Sequence, residues 1–291
     1  MKPSPETTLF QSHPRSYEAN RFVYPVLSRR AHGLSIGINL NPEKSCNFDC
    51  VYCQVEHSTC GGAAMRPADL PQLAEELDQM IDLVLSGRIF EGGPLRGTPE
   101  PLRRLNDIAL SGDGEPTASP LFAEVVGLCA EVRRARGLDQ VKIIVITNAS
   151  LLDREPVRRA LAVLDANHGE IWAKLDAGSE AYYRKVARSR VTFQRILDNL
   201  RETALGRPIV IQSLFMRLGE QPPPAEEQEL YCRRLLDIVA GGGRIKLVQV
   251  HTIARLPAES FASPLANEEV DAMAELVRRR TGLPVAAFYG G

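Results

Sequence analysis

Short apolar runs rich in β-branched residues recur along this chain with helical patterns between them, and that alternation limits its possible folds more than any other feature. The runs are LSIGINL (34–40), DIALSG (107–112), VKIIVIT (141–147), IWAKLD (171–176), PIVIQSLF (208–215) and RIKLVQVHT (244–252). The intervening stretches 70–87, 120–137, 155–167, 192–206 and 226–243 place apolar residues at i, i+3, i+4 spacing and predict helices. From the second run onward, strand starts lie about thirty to thirty-seven residues apart, the length of a strand, a crossover helix and two loops. Parallel pairing follows, and runs that are apolar along their whole length fit a sheet covered on both faces. Six such units are too few to close an eight-stranded barrel and too many for a mononucleotide-binding half. The expected fold class is α/β, an open partial (β/α)6 barrel.

The core is expected over 34–257, with an N-terminal extension (1–33) packed on it and a C-terminal helical and extended segment (258–291). The stretch 54–106 exceeds one crossover, and its Gly and Pro residues predict extra loops on the active face. NEEVDAMAELVRRRTG (267–282) reads as a last helix capped by Asn267 and stopped near Gly282. A hydrophobic content of 44% fills a sizeable core. Lys plus Arg (35) against Asp plus Glu (36) leaves a net charge of −1, which argues against the positive field of a nonspecific nucleic-acid binder while leaving a local basic patch open. No apolar stretch approaches the roughly 18–20 residues that span a bilayer, and the first twenty residues lack the apolar region of a secretory signal. A cytoplasmic protein without a membrane partner is expected.

Three of the six cysteines, Cys46, Cys50 and Cys53, form a C-x3-C-x2-C run just past the first strand. Thiolates on so short a loop can converge on one metal centre. A structural zinc site usually takes four protein ligands, often as two separated C-x2-C pairs, and Cys60, Cys129 and Cys232 are solitary. Three protein ligands on a four-iron cluster leave one iron open to a cosubstrate. Cys129 and Cys232 sit in apolar helical patterns and read as core; Cys60 reads as an incidental thiol, a hydrogen-atom donor or a ligand elsewhere.

The segment CNFDCVYC (46–53), with Tyr52 before the last cysteine, resembles the cluster loop of the radical S-adenosylmethionine superfamily. The resemblance implies a [4Fe-4S] cluster on Cys46, Cys50 and Cys53 whose open iron chelates the amino and carboxylate groups of S-adenosylmethionine. An electron then splits the sulfonium to methionine and a 5'-deoxyadenosyl radical, which abstracts hydrogen from an unidentified substrate. It also implies an electron donor of the flavodoxin or ferredoxin type. SGDGEPT (111–117) resembles the family's G-G-E-P motif, which holds the methionyl amine: Gly112 and Gly114 allow a close backbone approach, Glu115 accepts from the ammonium, and Asp113 replaces the second glycine. A glycine turn followed by a helix cap is the plainer reading.

Ligands of parallel α/β folds bind at the carboxyl ends of strands, so polar groups there are site candidates. By resemblance Thr147, Asn148 and Ser150 meet ribose or carboxylate; alternatively Asn148 and Ser150 cap the next helix. Lys174 and Asp176 share a strand face with Trp172 and either bind S-adenosylmethionine or form a structural ion pair. Gln212, Ser213 and His251 end the last two strands, His251 as an active-site contact or as a structural hydrogen-bonding residue. Tyr52, Gly112, Asp113, Gly114, Glu115, Asn148, Lys174, Asp176 and Gln212 form the expected cosubstrate site.

VLSRRAHGLSIGINL (26–40), SGDGEPT, ITNASLL, KLDAG and VQVHTIAR are similar, in order over residues 22 to about 257, to blocks of a group of small iron-sulfur oxidoreductases related to wybutosine-forming tRNA enzymes. An RNA-modifying enzyme and an activator of a partner protein are alternatives within the superfamily. A noncatalytic zinc or iron-sulfur module is the alternative outside it.

Overall fold

The computed structural model describes residues 17–55 and 64–290. Eight strands form one sheet in the order β1-β2-β3-β4-β5-β6-β8-β10. The six expected runs become β2 (Gly33–Ile38), β3 (Leu105–Leu110), β4 (Lys142–Thr147), β5 (Gly169–Lys174), β6 (Ile209–Leu214) and β8 (Ile245–His251), all parallel. β1 (Val23–Ser28) adds antiparallel to β2, and β10 (Val285–Phe288) adds parallel to β8 at the other edge. A small antiparallel pair, β7 (Met216–Leu218) with β9 (Ala262–Pro264), stands apart. The result is a curled half-barrel.

The helices are α1 (Leu70–Leu85), α2 (Phe122–Ala135), α3 (Glu155–Asp165), α4 (Glu180–Ala187), α5 (Phe193–Gly206), α6 (Ala225–Ala240) and α7 (Asn267–Thr281). Alternation along each strand divides its side chains. Ile108, Leu110, Ile143, Val145, Ile171, Ile211 and Val250 face outward into the main core beneath the helices. Ala109, Ile144, Trp172 and Val210 form a separate apolar layer inside the curl. The interior is thus filled at mid-height and left polar at both ends.

Two local expectations are corrected. α1 packs on the outer face of the sheet: its buried Glu76 accepts from the backbone N–H of Arg21, Phe22 and Val23 at 2.9, 2.8 and 3.1 Å. Among the described residues of 54–106, Gln54 and Val55 alone reach the main cavity. α7 begins at Asn267 with Ala266 in the cap position, whose N–H donates to Glu269 at 2.8 Å. No described helix is long and apolar enough to cross a membrane.

Candidate active site

A cavity of about 290 Å³ opens at the carboxyl ends of the parallel strands. Cys46, Cys50 and Cys53 line it together with Tyr52, Gly112, Asp113, Gly114, Glu115, Asn148, Lys174 and Gln212. His251 joins them. Asp176 instead lines a smaller adjoining space shared with Cys50 and Tyr52. Ser213 faces the helices, where its hydroxyl pairs with that of Tyr231 at 2.6 Å. Cys60 lies outside the described residues.

The cysteine loop is held by its hydrophobic members. Val51 and Tyr52 are buried against Val186, Leu214, Met216 and Ile253. Backbone bonds fasten the loop to the end of α4, from Val51 N–H to the Val186 carbonyl at 2.9 Å and from Asp49 N–H to that of Ala187 at 3.1 Å. Phe48 packs edge-on against Tyr183. With these side chains turned into protein, the alternate positions carry the sulfurs toward the cavity. Burial pushes the Cys50 thiol up to about 12, so it stays protonated until a cation displaces the proton. Among the described residues, no three His, Cys, Asp or Glu side chains are drawn around one point tightly enough for a single metal ion. The three thiols line one shared cavity.

The SGDGEPT loop follows β3 and packs on the start of the cysteine loop. A Cβ at Gly114 would stand 2.0 Å from the Ser45 carbonyl oxygen, and one at Gly112 would stand 2.4 Å from Asn39 Oδ1. Both glycines are therefore required by space. Asp113 is held by Asn39, whose amide donates to its carboxylate at 2.7 Å and whose Oδ1 accepts from its N–H at 3.2 Å. The residue in the second glycine position of the motif thus has its own partner on β2's exit.

Glu115 is 2% exposed and accepts four hydrogen bonds: from Thr117 N–H at 3.1 Å, Thr117 Oγ1 at 2.6 Å, Thr147 Oγ1 at 2.6 Å and Asn148 N–H at 2.7 Å. All four donors are neutral. Burial raises its pKa even though these bonds pull the other way. A buried carboxylate built from neutral donors beside a cavity is shaped to receive a cation, and a ligand ammonium fits it.

Asn148 and Ser150 do not cap α3, whose cap position is Arg154. Asn148 donates to Asn47 Oδ1 at 2.8 Å, and Asn47 donates to Ser150 Oγ at 2.7 Å, tying the end of β4 to the cysteine loop. Ala149 takes φ +65° between them, a left-handed turn that costs a non-glycine residue energy. Lys174 donates to Tyr52 Oη at 3.0 Å with its ammonium 4.4 Å from that ring's centre. Tyr52 in turn donates to Asp176, which also accepts from Leu214 N–H at 2.8 Å. Lys174 and Asp176 stand 3.8 Å apart, with the Tyr52 hydroxyl bonded to both. Gln212 donates to Gln249 across β6 and β8 at 3.1 Å.

The structure adds residues that the sequence reading did not select. Asn39, Asn47, Tyr24 and Ser111 complete the polar frame. Arg29, Arg30 and Arg255 line the cavity as well. An arginine pair in a turn carries no sequence signal that separates an inward from a solvated side chain.

A half-barrel with a cysteine triplet, a buried acceptor carboxylate and polar strand ends around one cavity defines an enzyme class, that of cluster-dependent catalysts working at the open mouth of a parallel sheet. Residues 40–222 match the Radical SAM superfamily, and the chain belongs to it. Members of this superfamily use a [4Fe-4S] cluster and S-adenosylmethionine. Among curated relatives, the UPF0026 protein MJ1312 of Methanocaldococcus jannaschii is 32% identical over 182 residues, 60% of this chain and 47% of that protein. The chain therefore spans about half the length of that relative. Among solved structures, a radical SAM methyltransferase from Sphaerobacter thermophilus superposes with a TM-score of 0.62 at 15% identity, covering 92% of this chain and 69% of that one. The structure of TYW1 with a lysine-pyruvate adduct bound gives 0.54 at 14% identity, covering 91% and 85%. At these identities the superpositions show a shared fold, and they include the wybutosine-forming enzyme that the motif blocks resemble.

Proposed function

We propose that Cys46, Cys50 and Cys53 hold one [4Fe-4S] cluster and that Glu115, Asn148, Lys174 and Gln212, with Tyr52 and the Gly112–Asp113–Gly114 backbone, seat S-adenosylmethionine beside it. The observation that carries this reading is Glu115, a buried carboxylate satisfied only by neutral donors and open to the cavity that the three thiols line. When bound, the cluster supplies the electron that cleaves S-adenosylmethionine, and the resulting 5'-deoxyadenosyl radical removes hydrogen from a substrate.

The chain's own residues bind, orient and shield. Glu115 accepts from the ammonium and so fixes the methionyl end relative to the thiols. Asn148 is held in place by Asn47, leaving its strand end rigid. Tyr52, packed under the cysteine loop, bonds to both members of the Lys174–Asp176 ion pair and fixes the pair at the cavity floor. The apolar layer of Ala109, Ile144, Trp172 and Val210 closes the cavity below and keeps bulk water out of the barrel. A reductant of the flavodoxin or ferredoxin type and a cytoplasmic setting complete the proposal.

The test is anaerobic reconstitution, reduction with dithionite and chromatographic detection of 5'-deoxyadenosine. About four irons per chain together with this product are expected. An intact cluster that yields no product would overturn the catalytic reading; one zinc per chain and no colour would overturn the cluster itself.

A further inference from the structure

The cavity has two chemically distinct ends. At the β3–β4 end, Glu115 accepts from the neutral groups described above, with Asp113 beside it on the same loop. At the other, the lips of the curled sheet come together. The β1–β2 turn reaches the segment after β10, with Arg29 donating to the Tyr289 carbonyl and the His32 and Phe288 rings 6.5 Å apart. Into this seam project Arg29 and Arg30 from the turn and Arg255 from the segment after β8.

Arg30 is half-buried, and its guanidinium lies 5.8 Å from the centre of the Trp172 ring. Trp172 precedes Lys174 by two residues on β5, a rise of about 7 Å, so the ring that Arg30 covers is anchored below the Lys174 level at which the strand-end groups gather. Burial and then the neighbouring Arg29 and Arg255 draw its pKa down to about 10, with Asp107 opposing them. Asp107 is a weak counterweight, because burial holds its own carboxyl up at about 7. Among the described residues of the lining, Arg29, Arg30, Arg255 and Lys174 stand with two carboxylates, Asp113 and Glu115, which lie at the β3–β4 end. Beside the arginines, His251 Nε2 is buried with no hydrogen-bond partner. Burial and then Arg30, Lys174 and Arg29 hold His251 well below its ordinary range, so the ring is neutral. The half-buried Arg30 guanidinium over the Trp172 ring and the neighbouring orphaned imidazole nitrogen of His251 form a site that an oxyanion would complete.

We propose that this end of the cavity is the substrate subsite, and that the substrate is a small organic acid whose carboxylate or phosphate is clamped by Arg30, Arg29 and Arg255 with His251 bonding to it. The assignment rests on the radical reading above for the meaning of the neighbouring site. The depth of Arg30 and its aromatic platform suit a compact acid reaching into the barrel, and the acid's remaining carbons would then extend upward, toward the thiols.

The test is anaerobic calorimetry on the reconstituted enzyme saturated with S-adenosylmethionine, titrating inorganic phosphate and malonate separately. One saturable site with a dissociation constant of about 1 mM or lower is expected for at least one probe, and which probe binds tells phosphate from carboxylate. Arg30→Met, which keeps an apolar stem on Trp172, is expected to weaken binding at least tenfold, and Arg255→Gln several-fold if Arg30→Met does not fold. No saturable binding of either probe, or binding unaffected by both substitutions, overturns the subsite. Mutual exclusion with S-adenosylmethionine also overturns it, since the arginines would then hold the cosubstrate's own carboxylate. Displacement of phosphate by a short single-stranded RNA but not by malonate overturns the small-acid class. Anion binding in an enzyme that yields no 5'-deoxyadenosine would leave the subsite standing and sink the radical reading, so the two failures are distinguishable.

Discussion

Two glutamates stand inside the same curled sheet, one near its base and one at its mouth, and they are satisfied in opposite ways. Glu170 at the base accepts from Lys142 at 2.8 Å, Lys246 at 2.6 Å and Trp172 Nε1 at 3.1 Å. Burial alone would raise its pKa, but these bonds and charges hold it down to about 2. Glu115 at the mouth has four hydrogen bonds and no cation among them, and its pKa is raised. A carboxylate that arrives with its own counterions belongs to the scaffold. One that is oriented but has no cation among its partners is the one we propose a ligand ammonium completes.

The comparison breaks most sharply at the mouth. Replacing Cys50 with Ala removes one thiol of the triplet, and the expected result is loss of most iron and of 5'-deoxyadenosine formation to background, read by iron analysis and product assay. Glu115→Gln keeps shape but removes the charge waiting for an ammonium. It is expected to weaken S-adenosylmethionine binding about 10- to 100-fold by calorimetry, in line with roughly 1.5–3 kcal/mol for a charged hydrogen bond. Unfolding temperature should change little, because relief of a buried charge offsets poorer bonding to the neutral donors.

Glu170→Gln should invert that pattern, costing on the order of 2 kcal/mol in urea unfolding at pH 7 while leaving S-adenosylmethionine affinity within about twofold. A carboxyl whose folded pKa is depressed to about 2 contributes stability that is complete above its ordinary value near 4.5 and fades as pH falls toward 2, so the wild type should lose in that window what the variant never had. The smallest effect is expected at Asp107, which burial raises to about 7. Between its ordinary value near 3.8 and about 7 the native state holds a proton that the unfolded chain has released, so ionisation costs stability as pH rises through that window. Asp107→Asn should therefore raise stability at pH 8 by on the order of 1 kcal/mol and leave it unchanged at pH 3. Equal effects of Glu115 and Glu170 substitutions on folding and on ligand binding would dissolve the distinction.

Much of this was legible in the sequence, for reasons that also explain what was not. The six parallel strands are read easily because both faces are covered and each run is apolar throughout. β1 escapes because VYPVLS carries Pro25, which an edge strand tolerates and which weakens any strand reading. β10 is four residues long, too short to carry a period. α4, eight residues, has the same difficulty, although Ser179 caps it by accepting from Tyr182 N–H at 3.2 Å. At the site, Glu115 and the cysteines are marked by local motifs. One partner of Asp113 lies seventy-four positions away at Asn39, and the inward turn of Arg30 depends on how the sheet's two lips meet. Such long-range juxtapositions leave no trace in a local window.

The contact between Gly114 and the Ser45 carbonyl has a mechanical consequence. With no room for even a methyl group at that point, the loop that presents Glu115 and the loop that presents the thiols have no slack between them. The spacing between the Glu115 loop and the cysteine loop is therefore set at this point by a backbone stop rather than by adjustable side chains.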